Sequence, residues 1–433
     1  MLNRYAPFIS ALIVSMVFGI AAHKYQFFPA PQLIYVVKQA RLALGVFSSA
    51  DKWYYRDADG RPLVKHYPQA QPQAGLTMLT GIGADDGLFV RIIDSDGEVV
   101  HQWDIDWYQL WPDATHIPEH LIPQGRPGTH LHGSRLMDNG DIVFNFENLG
   151  LMRLDVCSNV VWKLAYPTHH SVFADQSGNL WLPGQVYHQQ PLAHYPNYQV
   201  PFKEDTVVIV SPDGQLLKEY SIMDILKTNG YEGLMYMSTT SSRNPKVTGD
   251  VYHLNDVEVF PSTMKEGVFK QGDVLVSLRN INTVLVFDPQ TLNIRFIRVG
   301  QFVRQHDADF VDGNTISLYD NNHIGPESFG QSSKILLISA LTGEVSSYLS
   351  SPQPIHFYSD IMGKHQWLDN GNLLVLESRN GRVIEISRQK TKVWEYNNLI
   401  ADTNMVGIME GAERLPARFD QRFFADKLRQ CQR

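Results

Sequence analysis

A repeated unit that begins with a histidine constrains the fold of this 433-residue chain more than any other feature. The unit opens five times, with HGSRLMDNGDIVF at His132, HSVFADQSGNLWL at His170, HLNDVEVF at His253, HDADFVDGNTISLYDN at His306 and HQWLDNGNLLVLES at His365. Each opening leads into further short apolar runs, and several of the turns between runs contain Asp-Gly or Asn-Gly, which typically join antiparallel strands. A sixth copy, GLFVRIIDSDGEVVHQW, lacks the opening histidine. The unit therefore consists of four short antiparallel strands.

Six copies of such a unit predict an all-β fold, a six-bladed β-propeller with four-stranded antiparallel blades. Closing the sheets into a ring leaves only short, protected edges. The copies run from Gly75 to about Asn398, roughly 54 residues each, which resembles the kelch period and exceeds the WD40 period. We expect the last copy to close against the first through LTMLTGIG, the segment before Leu88.

The rest of the chain divides into three segments. Residues 1–26 contain an uncharged apolar run, PFISALIVSMVFGIAA, with basic residues on both sides, as in a signal peptide or a short signal anchor. We favour an uncleaved N-terminal membrane-anchor helix. Residues 27–74 are broken by prolines and predict a tether with one short helix, LIYVVKQARLALGV. Residues 75–400 form the propeller, and residues 401–433 form a C-terminal tail that is partly helical.

The anchor predicts that the propeller lies on the periplasmic or extracellular side of a cell membrane, so the membrane is an expected partner. The chain has a formal net charge of −8 and no basic stripe, which argues against nucleic acid as a partner. Its two cysteines, Cys157 and Cys431, either form one disulfide or remain free thiols. The sequence does not predict an oligomeric state.

The opening histidines are candidate functional residues, because the first strand of each blade lies nearest the axis of a propeller. Equivalent places in successive blades form a ring around one mouth of the channel. Imidazole titrates near neutral pH, so such a ring can supply a nucleophile or a proton carrier. The alternative is that each histidine bonds to a neighbouring blade, which we prefer for His132 and His365. A metal site is a third interpretation, but no compact His-x-His or HExxH spacing supports it, and we expect no metal or cofactor.

Arg279 is a further candidate, late in the second strand of the His253 copy, in VLVSLRNINTVLVF. A guanidinium in an apolar stretch is costly without an anionic partner. Its planar fork fits a tetrahedral oxyanion. The partner is therefore either an anionic ligand or a carboxylate from the next blade.

In this order and spacing, the motifs resemble the bacterial aryl-sulfate sulfotransferases, the phosphosulfate-independent arylsulfotransferase family. The resemblance runs from Asp94 to Tyr396 and rests on DSDGEVVHQW, THHSVFADQSGNLW, HLNDVEVF with VLVSLRNINTVLVFD, QHDADFVDGNTISLYDNN, and GNLLVLESRNGRVIEIS with VWEY. It implies a six-bladed propeller enzyme that moves a sulfuryl group from an aryl sulfate ester to a phenolic acceptor. The route is ping-pong through a sulfated histidine, without an adenylyl-sulfate donor.

The resemblance carries four roles onto this chain. His306 is the nucleophile, and Arg279, with His253 and His170 when protonated, holds the sulfuryl oxygens. One of these two histidines is the general acid and base. His169 is the alternative to His170 in the double-histidine motif. The residues expected to bind or support around these four are His169, Asn255, Asp307, Asn321 and His365, with two interpretations open for Asp307: it orients His306, or it only caps a turn.

The chain departs from the family in ways that keep an alternative function open. An N-terminal β-sandwich domain is replaced by a tether, and the double-histidine motif continues with Ser171 where an acidic residue is expected. The alternative is a non-catalytic β-propeller, tethered to the membrane, that binds a ligand or a protein. Retention of all four residues with assigned roles favours the enzyme.

Overall fold

The computed structural model describes residues 13–21, 51–68, 71–237, 239, 243, 246–325, 332–350 and 355–431. The chain divides into two compact units, Met1–Tyr55 and Arg56–Arg433. In the first unit, residues 13–21 are helical and Asp51–Tyr54 form one helical turn. No helix within the described ranges is long and apolar enough to cross a membrane. Most of the predicted anchor and tether, residues 1–12 and 22–50, lies outside the described residues, so the anchor stays a prediction.

The second unit is mostly β and consists of successive antiparallel sheets in a propeller-like arrangement. Six sheets of four or five strands are numbered here in chain order. Sheet 1 contains Met409–Arg414, Thr77–Ile82, Leu88–Ile93 and Val99–Ile105. Sheet 2 contains Ser134–Leu136, Ile142–Phe146, Gly150–Leu154 and Val160–Leu164. Sheet 3 contains Phe173–Ala174, Leu180–His188, Phe202–Val210 and Leu216–Ser221.

The remaining sheets continue the same order. Sheet 4 contains Leu254–Val259, Val274–Leu278, Thr283–Phe287 and Ile294–Val299. Sheet 5 contains His306–Asp312, Thr315–Asp320, Lys334–Ser339 and Val345–Ser350. Sheet 6 contains Lys364–Trp367, Leu373–Glu377, Arg382–Ile386, Lys392–Asn397 and, as a fifth strand, Val64–His66. A small seventh sheet has three short strands, Leu399–Ile400 and Met405–Gly407 among them.

The apolar middle strands of each sheet form the core, because neighbouring sheets cover both of their faces. Val274–Leu278 and Thr283–Phe287 pair in register from Val274–Phe287 to Leu278–Thr283, and every residue of both strands is buried. Outer strands such as Val160–Leu164 are more exposed, and no residue of that strand is fully buried. Short β-branched and aromatic runs with both faces covered therefore give strands rather than helices.

The propeller was predicted to end at residue 400, but sheet 1 takes its first strand from the tail. Met409–Arg414 pairs with Thr77–Ile82, from Met409–Gly81 to Arg414–Thr77. The segment before Leu88 thus lies inside sheet 1, and the C-terminal strand joins it. A buried ion pair between Arg414 and Glu385, 3.1 Å apart, links this strand to sheet 6.

Helices are short and lie in the connections. The α-helices of the second unit are Trp107–Leu110, Ile222–Thr228 and Gln421–Leu428, and the 3-10 turns are Ala84–Asp86, Glu119–Leu121, Glu232–Tyr236 and Arg279–Ile281. Asp420 caps the last helix by accepting a hydrogen bond from the Phe423 N–H. Just beyond that helix, Cys431 forms a disulfide with Cys157 in a turn of sheet 2. The disulfide ties the tail to the body of the unit.

Candidate active site

First strands of neighbouring sheets are linked by a repeated hydrogen bond around the axis. An oxygen of one first-strand segment accepts the backbone N–H of the next: Ser171 accepts from Val257, Asp256 from Ala308, and Asp307 from His365. Ser171 thus takes the place that Asp256 and Asp307 hold in later sheets, although the sequence analysis expected an acidic residue there. This ladder fixes the start of each first strand.

Four of the five opening histidines meet at this level. The His170 ring centroid lies 4.5 Å from His132, 4.9 Å from His253 and 6.3 Å from His306. His170 and His253 both have positive φ, 54° and 55°, a region that residues with a Cβ rarely adopt outside special sites. The preferred interpretation of His132 was a structural hydrogen bond to a neighbouring blade. Its ring instead packs directly on His170.

His365 lies in a different environment. Its Nδ1 is 2.9 Å from Asp307 Oδ2 and its Nε2 is 2.8 Å from Ser317 Oγ. Lys364 Nζ lies 3.2 Å from the other oxygen of Asp307. Asp307 thus links sheets 5 and 6, and within the described residues no hydrogen bond joins it to His306. These contacts differ from both interpretations left open for Asp307, orientation of His306 and capping of a turn, because they hold the start of sheet 6.

His306 is held in one tautomer by two acceptors. Its Nδ1 lies 2.7 Å from Asn321 Oδ1 and 3.1 Å from the Arg304 carbonyl oxygen. The Asn321 amide nitrogen donates to the carbonyls of Ser359 and Met362, which turns its oxygen toward the ring. Nδ1 therefore carries the proton and Nε2 keeps its lone pair. Burial and the charge of Arg279 lower the pKa of His306 well below its ordinary value, so the ring is neutral near pH 7.

His253 has a carboxylate partner that the sequence analysis missed. Its Nδ1 hydrogen-bonds to Asp250, whose backbone carbonyl accepts from Asn280 Nδ2. Burial lowers the pKa of His253, and the Asp250 hydrogen bond acts against that shift. The carboxylate orients the imidazole so that Nε2 is the atom left to exchange a proton. The spacing, three residues before His253, is the signal that was available.

Arg279 lies just beyond the second strand of sheet 4, where a 3-10 turn begins. Its backbone N–H donates to the His253 carbonyl, 3.1 Å away. In the part of the chain that the structure describes, no carboxylate lies within 4 Å of its guanidinium, and Nε donates only to Asn280, at 3.2 Å. Burial, and then the charge of Arg304, lower its pKa to about 10, which leaves it positively charged. Arg304, two residues before His306, is a second cation that sequence reasoning missed.

Two other predicted residues lie against this cluster. His169 Nδ1 is 2.7 Å from His170 Nδ1, and its Nε2 is 3.9 Å from the buried Asp205. Burial lowers the pKa of His169 to about 3. Asn255 donates to the Gln305 carbonyl, 2.7 Å away, and so links sheets 4 and 5 beside His306. Its buried Oδ1 has no hydrogen-bond partner among the described residues.

Two cavities adjoin the cluster along the axis. A small one of about 20 Å³ is lined by His132, His170, His306 and Glu410, among others. A larger one of about 410 Å³ shares His132 with it and is also lined by Asp256, Glu258 and Asp309. The larger cavity provides an axial space on one side of the histidines.

One group of side chains has the spacing of a metal site. Ligand atoms of Asp307, Asp309 and His365 lie within 4.8 Å of one another. Both His365 nitrogens already have hydrogen-bond partners, and the Lys364 ammonium occupies the Asp307 side. A cation there would displace that ammonium, so we assign no metal role to the group.

Comparison with known proteins identifies a family for this chain. A family model described as arylsulfotransferase (ASST) matches residues 133–399. No curated protein matches significantly.

Similar solved structures are remote. They include a protein of unknown function from Bacteroides caccae, with 14% identity, 78% of this chain and 98% of that chain covered, and a TM-score of 0.47. A streptogramin B lyase has 12% identity, coverage of 81% and 90%, and a TM-score of 0.41. The WD40 β propeller domain of Doa1 has 10% identity, coverage of 84% and 98%, and a TM-score of 0.41. At these TM-scores the similarities indicate nothing about the function of this chain.

Proposed function

Since the chain belongs to the arylsulfotransferase (ASST) family, we propose that it transfers a sulfuryl group from an aryl sulfate ester to a phenol through a sulfated His306. The observation that carries the proposal is the buried charge of Arg279, which has no carboxylate within 4 Å among the described residues and which acts on a neutral His306. The Arg279 backbone contacts His253, and the His253 and His306 rings both contact His170. After burial, the Arg279 charge also lowers the pKa of His306. For His253, burial and the Arg279 charge lower the pKa and the Asp250 hydrogen bond raises it. We propose that sheets 1 to 6 are the six blades of a propeller that brings them together.

In the first half-reaction, the Nε2 lone pair of His306 attacks sulfur and forms the N–S bond while the S–O bond to the aryl group breaks. The electron pair of the S–O bond leaves on the phenolate oxygen. Protonated His253 delivers a proton to that oxygen when the phenol is not acidic enough to leave as an anion. The arriving sulfate charge favours the protonated form of His253, and Asp250 holds the ring in position.

Charge in the transition state spreads over the three sulfuryl oxygens, as it does in phosphoryl transfer. Arg279 supplies a planar fork of donors to two of them, and Arg304 adds a second positive charge nearby. Because Asn280 holds the Arg279 side chain before substrate arrives, that guanidinium needs little rearrangement during the reaction. His170 and Asn255, which line the small cavity beside His306, support the third oxygen.

In the second half-reaction, an acceptor phenol enters the same pocket. His253, now neutral, removes the phenol proton while the oxygen attacks sulfur and the S–N bond breaks. The N–S electron pair returns to His306 Nε2, which restores the starting enzyme. A single site that accepts two phenols in turn accounts for a ping-pong route.

A test uses the purified full chain with 4-nitrophenyl sulfate as donor and phenol as acceptor. We expect release of 4-nitrophenol, formation of phenyl sulfate, and a covalent sulfuryl group on His306 that mass spectrometry detects when the acceptor is absent. His306→Ala should lower kcat by at least about 10³-fold. His356→Ala, at a histidine without an assigned role, is the matched control and should keep it.

Two results would overturn the mechanism. Full activity of His306→Ala would exclude the sulfohistidine, and binding of the aryl sulfate by the wild-type protein without any turnover would support the non-catalytic binding module instead.

We also propose that the second unit works on the exported side of a membrane. Two features support this: the apolar run of residues 7–22 in the sequence, and the Cys157–Cys431 disulfide, a bond that persists in oxidising compartments. Protease treatment of intact cells or spheroplasts should digest the second unit, whereas a cytoplasmic location would protect it.

A further inference from the structure

We propose that Glu410, His130 and His132 form a buried proton relay that connects the catalytic histidines with the axial cavity. The inference rests on the proposed sulfuryl transfer and extends it to residues for which the mechanism has no use. His130 and His132 precede the first strand of sheet 2, and Glu410 lies on the C-terminal strand of sheet 1. All three lie outside residues 133–399, the part matched by the family model.

The three side chains form a continuous chain of contacts that ends at the site. Glu410 Oε1 hydrogen-bonds to His130 Nδ1. The His130 ring stacks on His132 with centroids 5.5 Å apart and an interplanar angle of 24°. His132 then contacts His170, with centroids 4.5 Å apart, and His170 contacts both His253 and His306.

Unpartnered polar atoms are concentrated along this chain. Three buried atoms have no hydrogen-bond partner within the described residues. They are the two ring nitrogens of His132 and Oε2 of Glu410. His132 Nδ1 lies 3.6 Å from Glu147, beyond hydrogen-bonding distance. A buried polar atom without a partner costs about 1–3 kcal/mol, so three of them beside one site indicate a function other than packing.

The cavities give these atoms a path. Both His132 and Glu410 line the 20 Å³ cavity together with His170 and His306. That volume is enough for about one water molecule, and the walls offer it several polar partners. His132 also lines the 410 Å³ cavity. His132 thus lies between the two cavities, together with Ser171, Asp307 and Lys364, which also line both.

The reaction needs such a path whenever the donor leaves as a phenolate. The first half-reaction then uses no proton from the protein, whereas the second takes one from the acceptor phenol. The proton passes from His253 to His170, then through His132 to the Glu410–His130 pair and the axial cavity. Each donor of a proton regains one from its other neighbour, so the cycle releases one proton in total and leaves every side chain unchanged.

The charges around His132 are suited to this transfer. The titratable groups that face it are Glu410, His130, Glu147, His170, His253 and Lys364. Burial lowers the pKa of His132 to about 3, so the ring stays neutral and passes protons without storing them. Burial also acts to lower the pKa of His130, but the Glu410 carboxylate raises it on balance. The Glu410–His130 pair is thus the place where a proton is held.

The experiment compares the two half-reactions in Glu410→Gln, which removes the charge and keeps the size. Release of 4-nitrophenol from 4-nitrophenyl sulfate, measured by rapid mixing without acceptor, should stay within about twofold of wild type. Desulfation of the sulfated enzyme by phenol should slow roughly 10- to 100-fold. The rate of that second step should rise with pH more steeply than in wild type, and added imidazole should restore part of it.

The control is Glu413→Gln, at a carboxylate on the same strand that pairs with Arg135 at 3.2 Å. Both half-reactions of this variant should match wild type. His132→Asn should reproduce the Glu410→Gln pattern. Equal slowing of both half-reactions, or no slowing of the second, would overturn the relay while leaving the sulfuryl transfer intact. Absence of 4-nitrophenol release by the wild-type protein would instead contradict the proposed function.

Discussion

At the scale of the residue, one amide decides what His306 can do. Asn321 presents only its oxygen to the imidazole, because its nitrogen is bound to the carbonyls of Ser359 and Met362. The Arg304 carbonyl also accepts from Nδ1, at the longer distance of 3.1 Å, and the tautomer that both acceptors favour leaves Nε2 able to attack. Asn321 was predicted to be a supporting residue, but no sequence pattern records which atom of which histidine it contacts.

Asn321→Asp should make the reaction sensitive to acid. The new carboxylate favours the imidazolium form and raises the pKa of His306, which lies well below its ordinary value in the wild-type protein. His306 should therefore be protonated, and lose its nucleophilic lone pair, as pH falls through the raised pKa. The expected result is an acid limb in the pH dependence of kcat that wild type lacks.

The control for this charge is Asn322→Asp, which adds the same carboxylate one residue further on. It should keep the wild-type profile. Identical profiles for Asn321→Asp and wild type would contradict the assigned hydrogen bond.

At the scale of the element, strand ends matter more than strands. Middle strands such as Val274–Leu278 are predictable because an unbroken apolar run must be covered on both faces. Arg279 was expected within that strand, but its position in the following turn brings it against the His253 backbone. The closing strand Met409–Arg414 was not expected at all. Its sequence, MEGAER, has the charge pattern of a surface tail, and the partners of its charged side chains, among them His130, Arg135 and Glu385, are distant in sequence.

Arg414→Met should destabilise the protein by about 3–5 kcal/mol, because it leaves the buried Glu385 carboxylate without its cation. Urea unfolding at neutral pH measures the loss. The double variant Arg414→Met with Glu385→Gln should recover much of it, since no buried charge then remains unpaired. If the single and double variants were equally destabilised, the ion pair would not be what fastens the closing strand.

At the scale of the whole molecule, the sequence repeat predicted the succession of sheets well, whereas the predicted ring of histidines matches the arrangement of these residues only in part. Alternating turns and apolar runs led to successive four-stranded sheets, because that period has few other ways to cover its faces. The predicted ring consisted of five equivalent histidines. His365 instead bonds to Ser317 and Asp307, while His169 and His130 join the other four through neighbours in sequence. Contacts between distant sheets set this arrangement, and no local pattern records them.

The buried histidines should make the whole fold sensitive to acid. Burial lowers the pKa of His132 and His169 to about 3, and that of His170 and His306 well below its ordinary value. Between pH 6.5 and 3 the unfolded chain binds protons that the folded chain does not, so the free energy of unfolding falls as pH drops. His169→Gln should lose roughly 2 kcal/mol less than wild type between pH 7 and 4.5, by urea unfolding.

His66→Gln, at a half-exposed histidine, is the control and should lose as much as wild type. An equal loss in His169→Gln would show that His169 is protonated as easily in the folded protein as in the unfolded chain. Asp205 acts in the opposite direction, since burial raises its pKa to about 8 and its contribution to stability is lost as pH rises toward that value.

The closing strand also has a consequence for fragments of this chain that lack it. Thr77–Ile82 is buried along its whole length and needs Met409–Arg414 beside it. A chain still being synthesised, or one cut short before Met409, would offer that edge to any other strand it met. Such fragments would aggregate or be degraded. Glu410 lies within this strand, so a fragment that ends before Met409 would also lack one residue of the proposed proton relay.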